Sequence, residues 1–284
     1  MAYDVSSNSI SDYYTKVQYI YDWTMDEFDH QSIHAGYYDN EHTSRDTAVK
    51  NMNRHLADAA DIRSDDTVLH AGCGVGGPPT WVAKHCGSDV IGINITDLQL
   101  DRARELARER GVAEQCEFRY DDFTEMHTIR NNEIDVVWAL QAVCHADEKR
   151  EFLEQAKRVL TDGGRLVVAD GFMAKRNLSG REQRHMNKWL HGWKVPNLAH
   201  INDFVAHLGD LGFENIRVRN DDDNVMPFAK GTYRNSLSYY PKAKLLRLLG
   251  RLSRDEASHF AACYYQYRTL KKGLWTHRTV TAEV

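Results

Sequence analysis

Six residues, Gly72-Cys73-Gly74-Val75-Gly76-Gly77, constrain this chain more than any other stretch. They come after a short apolar run at 67–71 and precede a helical pattern over 80–85. A buried strand that runs into glycines lets the backbone turn tightly and come within contact distance of a ligand. Glycines also serve ordinary turns, so the loop alone proves little. The downstream pattern is stronger. Strand patterns at 89–94, 116–120, 134–139 and 165–170 alternate with helical patterns at 97–110 and 147–160. Strands alternating with helices at this spacing imply right-handed crossovers and a parallel sheet. The expected fold class is α/β, doubly wound and mostly parallel, with Gly163-Gly164 ending the helix 147–160.

Outside this rhythm the chain changes character. Eight aromatic side chains fall between residues 13 and 38, several at helical spacing, which predicts an amphipathic helical lid over 1–45. A helix is expected over 45–60, further helices over 175–194 and 201–211, and a strand over 214–220. Residues 230–254 carry seven Lys/Arg and no acid. The predicted division is a lid (1–45), a core (46–220) and a C-terminal cap or substrate segment (221–284). With 42% hydrophobic and 27% charged residues the chain is an ordinary globular protein. Its net charge of -5 argues against a nucleic-acid partner. No run approaches the ~18 apolar residues of a membrane span, so stable membrane insertion is not expected. The first residues lack a secretory pattern, and five scattered cysteines without a C-x-x-C pair read as reduced thiols rather than a disulfide frame or zinc site. A cytoplasmic location and no metal site are the corresponding expectations.

The glycine loop resembles the nucleotide-binding loop of class I S-adenosylmethionine-dependent methyltransferases, which have a Rossmann-like fold. Four further segments agree in order and spacing. The segment 92–99 (Gly-Ile-Asn-Ile-Thr-Asp-Leu-Gln) resembles the second-strand segment of the sterol and tocopherol methyltransferase group. The segment 118–123 is similar to the one whose Asp meets the adenine amino group, and the segment 139–146 (Ala-Leu-Gln-Ala-Val-Cys-His-Ala) is similar to a run in sterol C-24 methyltransferases. The run 158–166 and the N-terminal segment 34–39 (His-Ala-Gly-Tyr-Tyr-Asp) agree with the same group. The resemblance spans roughly 13–220 and implies S-adenosylmethionine as cofactor. His70, Gly72, Cys73, Gly74 and Gly76 would face its amino-acid moiety, with Asn94, Thr96 and Gln99 near the ribose. Asp122 and Phe123 would lie at the adenine, and Gln141 beside the methyl end. Two departures stand out: the acid usual before the loop is His70, and the family glutamate facing the substrate is Gln141, which cannot act as a carboxylate base.

Methyl transfer depends mainly on positioning and exclusion of water. An alkene acceptor adds a carbocation, which calls for aromatic faces and a group to take the departing proton. Tyr14, Tyr21 and Trp23 suit such a pocket, and packing of a lid explains them equally well. His145 and Gln141 are the catalytic candidates. His145 is either a general base, with an expected acid limb at about pH 6 to 7, or a structurally satisfied histidine. His34 and Arg234 are further substrate candidates; His30, His185 and His191 are weaker ones. The basic run is a solvated helix face or an anion-binding lid, and 221–224 is a solvated loop in preference to a magnesium–diphosphate cluster. The leading expectation is a small-molecule acceptor, an isoprenoid-type alkene or prenyl diphosphate, methylated at carbon. O- or N-methylation of another metabolite and non-catalytic cofactor binding are the alternatives, and homo-oligomerisation is left open.

Overall fold

The computed structural model describes residues 6–25 and 31–284, with side chains in the first helix as far as residue 22. Five elements repeat the expected rhythm: β1 (Thr67–Ala71), α3 (Gly77–Cys86), β2 (Asp89–Asn94), α4 (Asp97–Glu109) and β3 (Cys116–Tyr120). Then come β4 (Ile134–Leu140), α5 (Lys149–Val159), β5 (Leu160–Met173), α6 (Gly180–Leu190), α7 (Ile201–Asp210) and β6 (Glu214–Asn220). Ahead of them lie α1 (Ser7–Met25) and α2 (Arg45–Ala59), and behind them α8 (Asp222–Leu248), α9 (Arg254–Leu270) and β7 (Trp275–Glu283).

Among the described residues, seven strands form one sheet in the order β3-β2-β1-β4-β5-β7-β6. The first five are parallel, and β7 runs antiparallel to both of its neighbours. Strands in the middle of such a sheet are covered on both faces and are apolar throughout. Their residues divide with the period of two that a strand imposes. Val68, Val136, Trp138 and Val167 join the core on one face, and Leu69, Val137, Ala139 and Val168 the core on the other.

Three expectations are corrected. The C-terminal segment is not wholly a cap, because β7 inserts between β5 and β6 and is almost entirely buried. Nor do Gly163 and Gly164 end a helix. α5 stops at Val159, β5 begins at Leu160, and the glycines exchange backbone hydrogen bonds with Val284 at 3.0 and 2.9 Å. The segment 221–224 is no solvated loop either. Asp221 is fully buried and accepts from Thr279 Oγ1 (2.6 Å), while Asp222 opens α8 and accepts from Thr276 Oγ1 and the His277 amide. These carboxylates anchor β7 to α8.

Candidate active site

All the parallel strands point their C-terminal ends at one edge of the sheet, where an α/β fold places its ligands. A cavity of about 770 Å³ opens there, walled by the glycine loop, α1, α8 and α9. Its two ends differ in chemistry.

One end is polar. The amides of Gly72 and Cys73 both donate to Ile93 O at 3.0 Å, which pins the loop across the tip of β2. Gly74 has φ +54, and a Cβ placed there would meet nothing within 4 Å, so the loop leaves open cavity in front of its backbone. Asn94 ends β2, donates to Gln99 Oε1 (2.9 Å) and accepts from the Ile95 amide (2.8 Å). Gln99 in turn donates to Gln18 on α1 (2.9 Å), Gln18 donates to Asp22 (2.9 Å), and Asp22 pairs with Arg102. The N-terminal helix is thus tied to the tip of β2 by a chain of buried and half-buried polar groups. Asp122 lines the cavity and accepts from Thr124 (2.9 Å) and from Ser7 Oγ of α1 (2.6 Å). Its neighbour Asp121 is buried and spent on the loop, accepting from the amides of His127 and Thr128 and from Thr128 Oγ1. Phe123 also lines this end.

The other end is aromatic. Tyr14, Tyr21, Trp189, Trp193, Tyr239 and Phe260 face it. His145, in a short 3₁₀ turn after β4, holds two contacts there. Its Nδ1 faces the Lys194 carbonyl at 3.2 Å, which can only accept. Nδ1 therefore carries the proton, and Nε2 accepts from the Tyr14 hydroxyl at 2.9 Å. Burial pushes the His145 pKa down to about 4, against the ordinary imidazole range expected from sequence. Burial likewise lowers His34 to about 4 and His70 to about 3. Both rings line the cavity, and neither nitrogen of His70 has a hydrogen-bond partner among the described residues. His34 donates from Nδ1 to Ala35 O (2.9 Å), which leaves its Nε2 without one.

Gln141 sits at φ +51, a conformation that strains a residue with a side chain. Both ends of its amide are engaged: Oε1 accepts from the Ala35 amide (3.0 Å) and the NH₂ donates to His277 Nε2 (3.0 Å). It holds the segment before α2 against β7.

Three expected site residues do not face the cavity. Thr96 is buried as the N-cap of α4. Gly76 faces α4, where a Cβ would lie 2.8 Å from Ala103, so its lack of a side chain serves helix packing. Arg234 is exposed on the outer side of α8. The Trp23 side chain lies outside the described residues, as does His30.

A match to the family described as "Methyltransferase domain" covers residues 69–168, from β1 into β5. The 27-O-demethylrifamycin SV methyltransferase of Amycolatopsis mediterranei is 30% identical over 190 residues, covering 67% of this chain and 69% of that one. This chain is a class I S-adenosylmethionine-dependent methyltransferase. The sterol 24-C-methyltransferase of Saccharomyces cerevisiae is 30% identical over 64% of this chain, which spans about half (48%) of that protein's length. Among solved structures, the geranyl diphosphate C-methyltransferase of Streptomyces coelicolor A3(2) superposes with a TM-score of 0.72 at 16% identity, covering 98% of this chain and 97% of that one. The [4+2]-cyclase SpnF gives 0.79 at 19% identity, covering 98% and 95%. At these identities the likeness is one of fold.

The methyltransferase uses S-adenosylmethionine, and its polar end fits that group: an open glycine backbone, amide-bearing side chains at the tip of β2, and a cavity-facing carboxylate at Asp122. Several cavity residues escaped the sequence reading. Asp170, buried and held by the amides of Cys144 (2.9 Å) and Gly171 (2.7 Å), carries a pKa raised by its burial. An acid ending an apolar strand at the ligand edge was a usable signal for it. Arg45 is the one Lys or Arg among the described residues lining the cavity, its guanidinium carbon 5.3 Å from the Phe228 ring centre. His277 arrives on β7 and His259 on α9, and no local pattern announces either.

Proposed function

We propose that this methyltransferase methylates an apolar, isoprenoid-type acceptor at carbon. Gly72, Gly74, Asn94, Gln99 and Asp122 would hold the cofactor at the polar end, and the acceptor would lie between α1, α6 and α9. When bound, S-adenosylmethionine supplies an electrophilic methyl group on a sulfonium centre. Burial keeps His34, His70 and His145 uncharged at neutral pH, so these rings offer no repulsion to a cation in the cavity.

The observation that carries the reading is the pairing of an aromatic wall with a weak base. Methylation of an alkene leaves a carbocation, which the faces of Tyr14, Tyr21 and Trp193 stabilise by about 0.5–2 kcal/mol each. A proton must then leave that cation. The Tyr14 oxygen takes it while the Tyr14 proton passes to His145 Nε2, and the resulting imidazolium keeps its Nδ1–H on the Lys194 carbonyl. A base with a pKa of about 4 suits so strong an acid. It is poorly matched to an alcohol or phenol, whose pKa of roughly 10 or more lies several units higher.

Methylation of a hydroxyl oxygen is the second reading. It is favoured by the Tyr14 hydroxyl itself, a polar group able to orient an acceptor hydroxyl within an otherwise aromatic end. Incubation with ¹³C-methyl-labelled cofactor and a panel of prenyl diphosphates, free terpenoids, sterols and phenols separates the two. A product whose labelled carbon resonates as a carbon-bound methyl supports the first reading. Label found only in methoxy groups overturns it.

A further inference from the structure

The C-terminal half of α8 turns one face away from the protein. Leu248 is 85% exposed, Leu249 60%, Leu245 58% and Leu237 52%, the largest group of exposed leucines among the described residues. At roughly 100° per residue, Leu237, Leu245 and Leu248 fall within an arc of about 80°. The residues that α8 buries, Val225, Ala229, Ser236 and Ala243, lie on the opposite side. Gly250, at φ +69, ends the hairpin tip between α8 and α9 and leaves Leu249 beside Leu248.

This apolar stripe is bordered by cations. Residues 230–254 hold seven Lys/Arg and no Asp or Glu, within a chain of net charge -5. Lys244 borders the leucine arc, about 20° outside it, its ammonium 4.4 Å from the Tyr240 ring centre, and Lys242, Arg247 and Arg251 are exposed nearby. A second copy of the chain is a poor occupant. A two-fold contact would bring the same patch face to face, cation against cation. A soluble polyanion would neutralise the charge and leave the leucines in water. An anionic bilayer satisfies both, taking leucines into the acyl boundary and lysines and arginines at the headgroups. No helix among the described residues is long and apolar enough to cross a membrane, so such contact is peripheral.

We propose that the tip of the α8–α9 hairpin is a docking surface for an anionic lipid bilayer. Ser236 and Tyr239, on other faces of the same helix, line the cavity, so docking would leave the cavity about one helix diameter, roughly 10 Å, from the membrane surface. The surface itself stands whichever atom is methylated.

Flotation of the full chain with vesicles of phosphatidylcholine, alone or mixed with phosphatidylglycerol, tests this without any need for turnover. The protein should float with the mixed vesicles and not the neutral ones, and be released as salt rises from about 0.1 M to about 1 M. Lys244→Glu with Arg247→Glu should weaken binding by at least ~25-fold, at roughly fivefold per cation removed. Leu248→Asp with Leu249→Asp should weaken it tenfold or more, and because both sites are exposed the melting temperature should hold. If the leucine variant fails to fold, the charge variant and the salt series still decide the matter. Equal flotation on neutral vesicles, no flotation on anionic ones, or a dimer in solution that Leu248→Asp converts to monomer would each overturn the proposal.

Discussion

The hydroxyl of Tyr14 and Nε2 of His145 meet at 2.9 Å across 131 residues of sequence. One belongs to the N-terminal helix, the other to the turn after β4. Tyr14→Phe keeps the ring and removes the hydroxyl, leaving a buried imidazole nitrogen without that partner. We expect turnover to fall roughly 10²- to 10⁴-fold in Tyr14→Phe and in His145→Ala, with S-adenosylhomocysteine affinity kept. Because the two act on one proton, the double variant should be little worse than either single one. Multiplying losses in the double variant would show that they act separately.

Activity and stability should respond differently to acid. The acid limb of kcat/KM is expected near His145's lowered pKa of about 4, not the ordinary 6.5. Stability should fail earlier. His34, His145 and His259 are held at about 4 and His70 at about 3, so between pH 6.5 and these values the unfolded chain binds more protons than the folded one. Stability therefore falls as pH drops through that window and is fully present above it. Urea midpoints measured at pH 7 and pH 5 check this: a midpoint unchanged or higher at pH 5 contradicts it.

Two glycines of one loop should fail in different ways. Gly74→Val places a side chain into open cavity, so cofactor binding should vanish in calorimetry, with about 1–2 kcal/mol of stability lost to the left-handed backbone. Gly76→Ala drives a methyl into Ala103 and should cost about 1–3 kcal/mol or more by overpacking. Wild-type affinity in Gly74→Val would remove the loop from the cofactor site.

Adjacent aspartates should also separate. Asp121→Ala strips three donors of their acceptor and should lower stability by about 1–3 kcal/mol, seen as a reduced melting temperature. Asp122→Ala also frees donors on Thr124 and Ser7, but at the half-buried cavity edge these can turn to water, so melting should fall less than in Asp121→Ala while S-adenosylhomocysteine binding weakens. The reverse pattern would exchange their roles.

The parallel half of the sheet was legible in the chain because its information is local. Four of the five strands from β1 to β5 are apolar runs, β3 (Cys-Glu-Phe-Arg-Tyr) being the mixed one at the sheet edge, and the run from Gly72 to Gly77 marks where the ligand edge lies. The polar end of the cavity is legible in the same segments, which reach that edge by short connections. The aromatic end is not. Arg234 has the right charge on the wrong side of α8, while Arg45, Asp170, His259 and His277 enter the cavity wall from α2, β5, α9 and β7. β7 reads as a polar, threonine-rich tail until it is seen between β5 and β6, where Thr279 donates to Asp221 and Thr276 to Asp222. Periodicity reports which face of an element is apolar. It cannot report which distant element covers that face, because that choice rests on packing and hydrogen bonding summed over the whole molecule. The same summation sets His145's basicity: its ordinary pKa belongs to the residue, and the shift to about 4 belongs to the elements that close around it.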